Sequence, residues 1–258
     1  MGSVSCVVLS LVLGIWCFSL LPCAGQKPAD ARSTTTIDPA EAENLGRELA
    51  AQLRGQKPGE NSSTRGWLKI RNDGGKLLEV PANFQIIITP TNWLSVYETT
   101  ASSNRSGTVK LTVVCADNQP NQYLLCESSA AAPRKVAGNE AMIPFAGSDF
   151  WLADFGREFL YWPKQRLLRK QVHRSRSCQQ LESINPAPVP GGYARVLSWI
   201  DTETGGIMDA EAFDARGDTI KRFSIRGFKK VRGQYELEEM EISNRKTGSR
   251  TRIEFDLK

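Results

Sequence analysis

Apolar and polar residues alternate along most of the chain beyond Gly66. In the last run, Ile253, Phe255 and Leu257 are separated by charged residues. A period of two is typical of a β-strand with one face in a core and the other in water. Turn residues such as Asn72-Asp73-Gly74-Gly75 lie between the runs. The runs that predict strands are Trp67–Arg71, Lys76–Val80, Phe84–Thr89, Leu94–Glu98, Thr108–Cys115, Gln122–Cys126, Glu158–Trp162, Arg166–Arg174, Arg195–Ile200, Ile207–Phe213, Thr219–Arg226, Gln234–Ile242 and Arg250–Leu257.

This succession predicts a mainly β fold with roughly a dozen antiparallel strands. So many sequential strands must close into a barrel or bend strongly, because otherwise their edges stay exposed. A barrel of this size encloses more space than its own side chains fill. We therefore expect an apolar cavity lined by one face of the strands. The residues expected to line it are Phe84, Ile86, Ile88, Val109, Leu111, Val113, Trp199, Phe223, Ile225, Ile253, Phe255 and Leu257.

Three segments precede the strands. The apolar run Val7–Leu21 is too short for a membrane span, and with small residues up to Gly25 it predicts a signal peptide over residues 1–25. Lipid attachment at Cys23 stays open as an alternative. Residues 26–37 are rich in Pro, Ser and Thr and predict a flexible tether. Asp38 begins a capped helix that ends near Gly55, so residues 38–258 form the predicted barrel domain with an N-terminal helix.

A short aromatic segment, Gly147–Gly156, interrupts the strand pattern. Ser148 or Asp149 can cap a short helix, which would place Trp151, Leu152 and Phe155 on one side. Such a helix is either a movable lid over the cavity or a plug that belongs to the core. The sequence leaves these two alternatives open.

The chain lacks the residue sets that most enzymes require. His173 is the single histidine and has no acid or nucleophile near it in sequence. No glycine-rich phosphate loop or nucleophile elbow is found, and we expect no metal site, no cofactor and no catalytic residue. Carboxylate pairs such as Asp149 with Asp154 leave a two-carboxylate hydrolase as a minor alternative. Cys126 and Cys178 are the pair best placed for a disulfide, although free buried thiols fit equally well.

The net charge of +5 is concentrated in two stretches. Lys164–Arg176 and Lys221–Arg232 each contain six Lys or Arg and no acid. Such strands either contact an anionic membrane surface or form a solvated outer face. Nucleic acid is not expected as a partner, because the chain contains no recognisable nucleic-acid-binding module and carries an export signal.

The second half of the chain resembles a known family. The segments that carry the resemblance are Phe145–Phe150, Leu160-Tyr161, Cys178, Leu181–Pro186, Tyr193–Asp201, Asp209–Asp214, Lys221–Phe223 and Asn244–Thr251. In these segments the chain is similar to the LolA-like family of outer-membrane lipoprotein-sorting proteins, over about Gly66 to Leu257.

The resemblance implies a half-open antiparallel barrel whose mouth is covered by helices. It also implies an exported, monomeric, non-enzymatic carrier that shields the acyl chains of a lipid or lipoprotein in the periplasm. The alternative is an envelope module for interaction or stress sensing, with the same fold but a barrel filled by side chains. Strands that line a cavity and strands that pack against a filled core show the same alternation of apolar and polar residues. The sequence therefore does not distinguish the carrier from the interaction module.

Overall fold

The computed structural model describes residues 38–100, 107–117, 119–128 and 131–258. The predicted signal peptide and tether lie outside these residues. The strands are β1 Ser62–Arg71, β2 Leu77–Ile88, β3 Asn92–Thr99, β4 Val109–Ala116, β5 Gln122–Cys126, β6 Arg134–Val136, β7 Lys164–His173, β8 Arg176–Ile184, β9 Arg195–Asp201, β10 Ile207–Phe213, β11 Thr219–Val231, β12 Gln234–Asn244 and β13 Arg250–Phe255. The helices are α1 Pro39–Arg54 and α2 Leu152–Phe155, with 3₁₀ turns at Gly138–Ala141 and Glu158–Tyr161.

All 13 strands form one antiparallel sheet in the order β6-β5-β4-β3-β2-β1-β13-β12-β11-β10-β9-β8-β7. The sheet consists of two meanders, β1 to β6 and β7 to β13, which meet where β1 pairs with β13. It does not close, because β6 and β7 are its two edges. The predicted mainly β, half-open barrel is therefore confirmed.

The connection between β6 and β7 has to cross from one edge of the sheet to the other. Residues 138–162, which we call the plug, make this crossing and contain α2 and both 3₁₀ turns. Apolar side chains of both meanders, of the plug and of α1 form a single core cluster. The plug therefore lies over the concave apolar face of the sheet, where a barrel interior would be.

The strand predicted at Glu158–Trp162 is wrong, and the structure has a 3₁₀ turn there. Within the plug the backbone has no neighbouring strand to pair with. It satisfies its polar groups locally instead, as when Leu160 N donates to Arg157 O at 2.9 Å. Strands β6 and β8 were not predicted.

Helix α1 follows its predicted course. The Asp38 side chain caps it by accepting from the backbone N–H groups of Ala40 and Glu41, and Pro39 takes the first helical position. The helix packs closely against edge strand β7, because a Cβ on Gly46 would lie 2.6 Å from the Cα of Arg166. Among the described residues, no helix has the length and apolarity needed to cross a membrane.

The three cysteines of the folded part, Cys115, Cys126 and Cys178, are free thiols. The predicted bridge between Cys126 and Cys178 is thus wrong. Cys126 lies in β5 and Cys178 in β8, with nine strands between them in the sheet order. Two cysteines this far apart in the sheet cannot approach to the Cα separation that a disulfide needs.

Candidate functional site: the plugged concave face

Most of the residues predicted to line a cavity lie on the concave face. Register places Phe84 opposite Tyr97, Phe223 opposite Ala210 and Ile225 opposite Met240, and residues directly opposite share a face. The predicted residues that belong to the core cluster or pack against it are Phe84, Val109, Leu111, Val113, Phe223, Ile225, Ile253, Phe255 and Leu257. Ile86, two residues after Phe84, is also buried and lies on the same face.

Two of the predicted lining residues are placed differently. Trp199 pairs with Asp209, whereas the next residue, Ala210, pairs with the inward-facing Phe223, so Trp199 lies on the convex face. There its ring stacks on His173 with centroids 4.9 Å apart. Ile88 is the last residue of β2 and is 38% exposed, beyond the end of the covered surface.

The plug fills the concave face with aromatic side chains. Phe155 of α2 contacts Phe145 and Phe150 at centroid distances of 5.2 and 5.5 Å, and Tyr97 of β3 at 4.3 Å. Leu152 has no exposed surface. A cavity of about 50 Å³ beside Phe155 and Phe223 remains between plug and sheet, and another of about 40 Å³ lies beside Tyr97 and Phe155. In this conformation the short helix is a plug, and neither cavity has room for an acyl chain.

A buried charged cluster joins the plug to the sheet. Lys221 of β11 occupies an inward position in line with Phe223 and is 2% exposed. Its Nζ donates to the Asp149 carbonyl oxygen at 2.6 Å and lies 3.7 Å from Asp154 Oδ2. The ammonium also lies 3.5 Å from the centroid of the Trp151 ring, a cation–π contact.

Further contacts complete the cluster around Lys221. We define the Lys221 cluster as Lys221, Asp149, Trp151, Asp154 and Tyr193. The Trp151 N–H donates to Asp154 Oδ2 at 2.7 Å, and the Tyr193 hydroxyl donates to Asp154 Oδ1 at 3.0 Å. The Trp151 ring stacks on Tyr193 at 4.5 Å. Trp151 thus belongs to the polar anchor of the plug, whereas Leu152 and Phe155 belong to its apolar side.

Burial dominates the electrostatics of the Lys221 cluster. Burial lowers the pKa of Lys221 to about 8, although the charge of Asp154 opposes this effect. Burial also raises the pKa of Asp154, against the opposing effects of Lys221 and of the hydrogen bonds from Trp151 and Tyr193. Both ions are therefore less stable in the closed protein than they would be in water.

A second anchor, at Asp149, holds the middle of the plug on β13. The Asp149 carboxylate accepts from the hydroxyl groups of Thr251 at 2.8 Å and Ser249 at 2.5 Å. The Asp149 N–H in turn donates to Thr251 Oγ1 at 2.9 Å. The sequence left Asp149 and Asp154 open as a hydrolytic pair. Both carboxylates accept hydrogen bonds within the protein, Asp149 from the two hydroxyl groups and Asp154 from the Trp151 N–H and the Tyr193 hydroxyl.

His173 has an acid partner that the sequence did not reveal. Its Nε2 lies 2.6 Å from Asp209 Oδ2, on the convex face. The Ser224 hydroxyl donates to the other oxygen of Asp209 and not to the imidazole. Because a nucleophile would have to contact the imidazole, this geometry is not a Ser-His-Asp relay. His173 instead packs the β7–β8 hairpin over Trp199.

The two basic stretches do not form uniform basic faces. Lys221 is buried in the interior, and Arg166 pairs with Glu182 at 2.5 Å. Arg176 is bound by Asp201 at 2.6 Å. The charges of these three residues are therefore satisfied within the protein, whereas other basic residues of the two stretches, such as Lys170, remain exposed.

Sequence reasoning missed the Lys221 cluster, although one signal was present. Lys221, Phe223 and Ile225 are spaced by two, so alternation places the lysine on the apolar face. A charged residue at a core position is a candidate for a functional or switching role.

Comparisons with known proteins agree with this geometry. A family model described as "Uncharacterized protein" matches residues 92–257. None of the curated proteins matches the chain at a significant level. Three solved structures each cover 83% of this chain and 91% of their own.

The first is a putative outer membrane lipoprotein-sorting protein domain from Vibrio parahaemolyticus, with a TM-score of 0.69 and 15% identity. The second is a DUF1329 family protein from Desulfovibrio piger, with a TM-score of 0.65 and 17% identity. The third is a LolA superfamily protein from Nitrosomonas europaea, with a TM-score of 0.55 and 15% identity. The chain therefore belongs to the family whose model matches residues 92–257, and its fold is LolA-like, as the sequence resemblance predicted.

Proposed function

We propose that the protein is a non-catalytic carrier of the cell envelope that binds acyl chains of a lipid or lipoprotein on its concave face. The observation that carries the proposal is the Lys221 cluster. A plug that served only as core would be held best by apolar contacts, whereas this one is attached through buried ions that weaken the closed state. The apolar concave face beneath the plug is the surface that acyl chains would occupy.

The topology supports a plug that moves as a unit. It is tied to β6 at one end and to β7 at the other, so it can swing away from the concave face without leaving the protein. Its regular structure is limited to α2 and two 3₁₀ turns, which have few backbone hydrogen bonds to break.

The envelope location rests on the apolar leader up to Gly25 and on the similarity of the fold to a putative outer membrane lipoprotein-sorting protein domain. Amino-terminal sequencing of the protein from the envelope fraction should give a mature start near Gln26. Recovery of the intact leader on cytoplasmic protein would contradict the proposed location.

A second function, an envelope interaction module with a filled barrel, is favoured by one specific observation. The interior cavity of about 50 Å³ is far below the roughly 300 Å³ at which small-molecule pockets begin. In such a module the plug would never open, and the outer surface would bind a protein partner.

Locking the plug distinguishes the two functions. Thr251 Oγ1 lies 2.9 Å from Asp149 N and 2.8 Å from Asp149 Oδ2, so cysteines at positions 149 and 251 would bring two thiols together. Asp149→Cys/Thr251→Cys should bind a fluorescent acyl-chain probe when reduced and lose at least about tenfold in affinity when oxidised. Asp149→Cys alone, treated with the same oxidant, is the matched control.

The outcomes are distinct. Equal affinity in the locked and reduced forms would contradict a moving plug. Failure of the reduced variant and of the wild type to bind acyl probes would favour the interaction module. Circular dichroism of each form has to show an intact β-sheet at the temperature of the measurement.

A further inference from the structure

A second, larger cavity lies at one end of the half-barrel. It measures about 350 Å³ and is formed between the β9–β10 turn, the β11–β12 hairpin and the start of β8. It has no lining residue in common with the interior cavity under the plug. We call it the end pocket. Its volume falls within the range of small-molecule pockets, and access to it does not require the plug to move.

The floor of the end pocket is apolar and its rim is aromatic. Met208 and Ile225 are buried and form part of the floor. Phe228 and Tyr235, on the paired strands of the hairpin, are 37% and 58% exposed and line the same pocket. Large apolar side chains this exposed are stabilised when a ligand covers them.

One cation at the pocket has no ionic partner. Arg176 also lines the pocket, but it is paired with both Asp201 at 2.6 Å and Glu203 at 3.2 Å, a group with one excess negative charge. Lys230 forms no ion pair with any residue that the structure describes, and its Nζ lies 6.0 Å from the centroid of the Tyr235 ring. Lys230 is therefore the cation of the pocket lining that is available to an anionic ligand.

We propose that the end pocket binds an anionic amphiphile, with the acyl chain against Met208 and Ile225 and the anionic group at Lys230. The chain would gain burial against the floor and against Phe228, while the ammonium would form a charge-assisted hydrogen bond with the head group. A free fatty acid and an anionic phospholipid share this chemistry. The inference goes beyond the proposed carrier function, because this site shares no lining residue with the cavity under the plug, although Ile225 also lies on the concave face.

Dodecanoate is a suitable probe, with dodecanol as its uncharged counterpart, and binding is measured by calorimetry. Lys230→Ala should weaken dodecanoate binding about tenfold and leave dodecanol binding unchanged. Phe228→Ser should weaken the binding of both probes by about tenfold. Lys170→Ala and Leu77→Ser, which change an exposed cation and an exposed apolar residue elsewhere, are the matched controls.

Unchanged dodecanoate affinity in both pocket variants would overturn the proposal. Equal losses for dodecanoate and dodecanol in Lys230→Ala would overturn the role of Lys230. Vesicles containing phosphatidylglycerol distinguish an anionic phospholipid from a free fatty acid as the ligand. Only a phospholipid site would bind the vesicles, and Lys230→Ala would weaken that binding. The plug lock at positions 149 and 251 should not affect this binding, so the carrier proposal and the end-pocket proposal fail independently.

Discussion

Replacing Lys221 by methionine tests whether Lys221 and Asp154 are coupled as a buried ion pair. Methionine has a similar length and no charge, so the change removes the ionic contacts with little change in volume. Asp154 would then lose its ion pair with Lys221, and a buried carboxylate without an ionic partner is strongly destabilising. We expect Lys221→Met to lower the free energy of unfolding by about 3 kcal/mol at pH 7.

The magnitude is that of a buried ion pair that loses one partner, about 3 kcal/mol. The ammonium itself is costly in the folded protein, because burial lowers the pKa of Lys221 from 10.5 to about 8, which corresponds to roughly 3 kcal/mol. Asp154→Asn should destabilise by a similar amount, because it leaves the lysine buried without its acid. Lys221→Met/Asp154→Asn removes both ions, and should lie within about 1 kcal/mol of the wild type or above it.

Urea unfolding of the four proteins at pH 7 measures the coupling between the two residues. The expected coupling energy is about 5 kcal/mol or more, because each single variant loses about 3 kcal/mol and the double variant loses at most about 1 kcal/mol. The surface pair Arg222 and Glu211, 3.7 Å apart, is the control and should couple by less than about 1 kcal/mol. Additive effects at Lys221 and Asp154 would refute the coupled buried ion pair.

Three further predictions concern stability. Because the pKa of Lys221 is about 8 when folded and 10.5 when unfolded, the unfolded chain binds more protons between these values. Its contribution to the unfolding free energy therefore rises from pH 8 to pH 10.5, and urea titrations should show that Lys221→Met lacks this rise. Gly46→Ala should lower the melting temperature despite the better helix propensity of alanine, since its Cβ would meet the Arg166 backbone at 2.6 Å; an unchanged melting temperature would refute this close contact. His173→Ala should lose about 2 kcal/mol of stability through its contact with Asp209, as measured by urea unfolding, but keep full acyl-probe affinity while folded. A folded His173 variant without affinity would restore a functional role for the histidine.

Alternation predicted most of the strands, since it reflects burial of one face, which is a local property of the chain. It failed for Trp199, because the inward positions of β9 are Val196, Ser198 and Ile200, and one of these is polar. The larger outward tryptophan therefore resembled a core residue. What buries it is the β7–β8 hairpin, whose His173 stacks on the ring from a distant part of the chain.

The plug illustrates a different limit of sequence reasoning. Its aromatic residues were visible as an interruption of the strand pattern, but their position depends on strand order. The pairing of β1 with β13 places β6 and β7 at opposite edges and so forces residues 138–162 across the concave face. A pairing between the ends of the domain leaves no local pattern in either strand.

If the concave face binds acyl chains as proposed, the balance between plug and acyl chain would explain why a buried charge suits this position. Phe145, Phe150, Leu152, Phe155 and Leu160 are all buried, and together they contribute on the order of 10 kcal/mol to keeping the plug in place. A sixteen-carbon chain gains about 0.8 kcal/mol for each buried methylene, which is also on the order of 10 kcal/mol. Apolar contacts alone would thus leave plug and chain nearly equal. The Lys221 cluster weakens the closed state by roughly 3 kcal/mol, enough to shift this balance toward the chain by a factor of about 100. Lys221→Met/Asp154→Asn should therefore bind long-chain probes more weakly than the wild type, although it is at least as well folded. Tighter binding by this variant would show that the charges hold the plug closed instead.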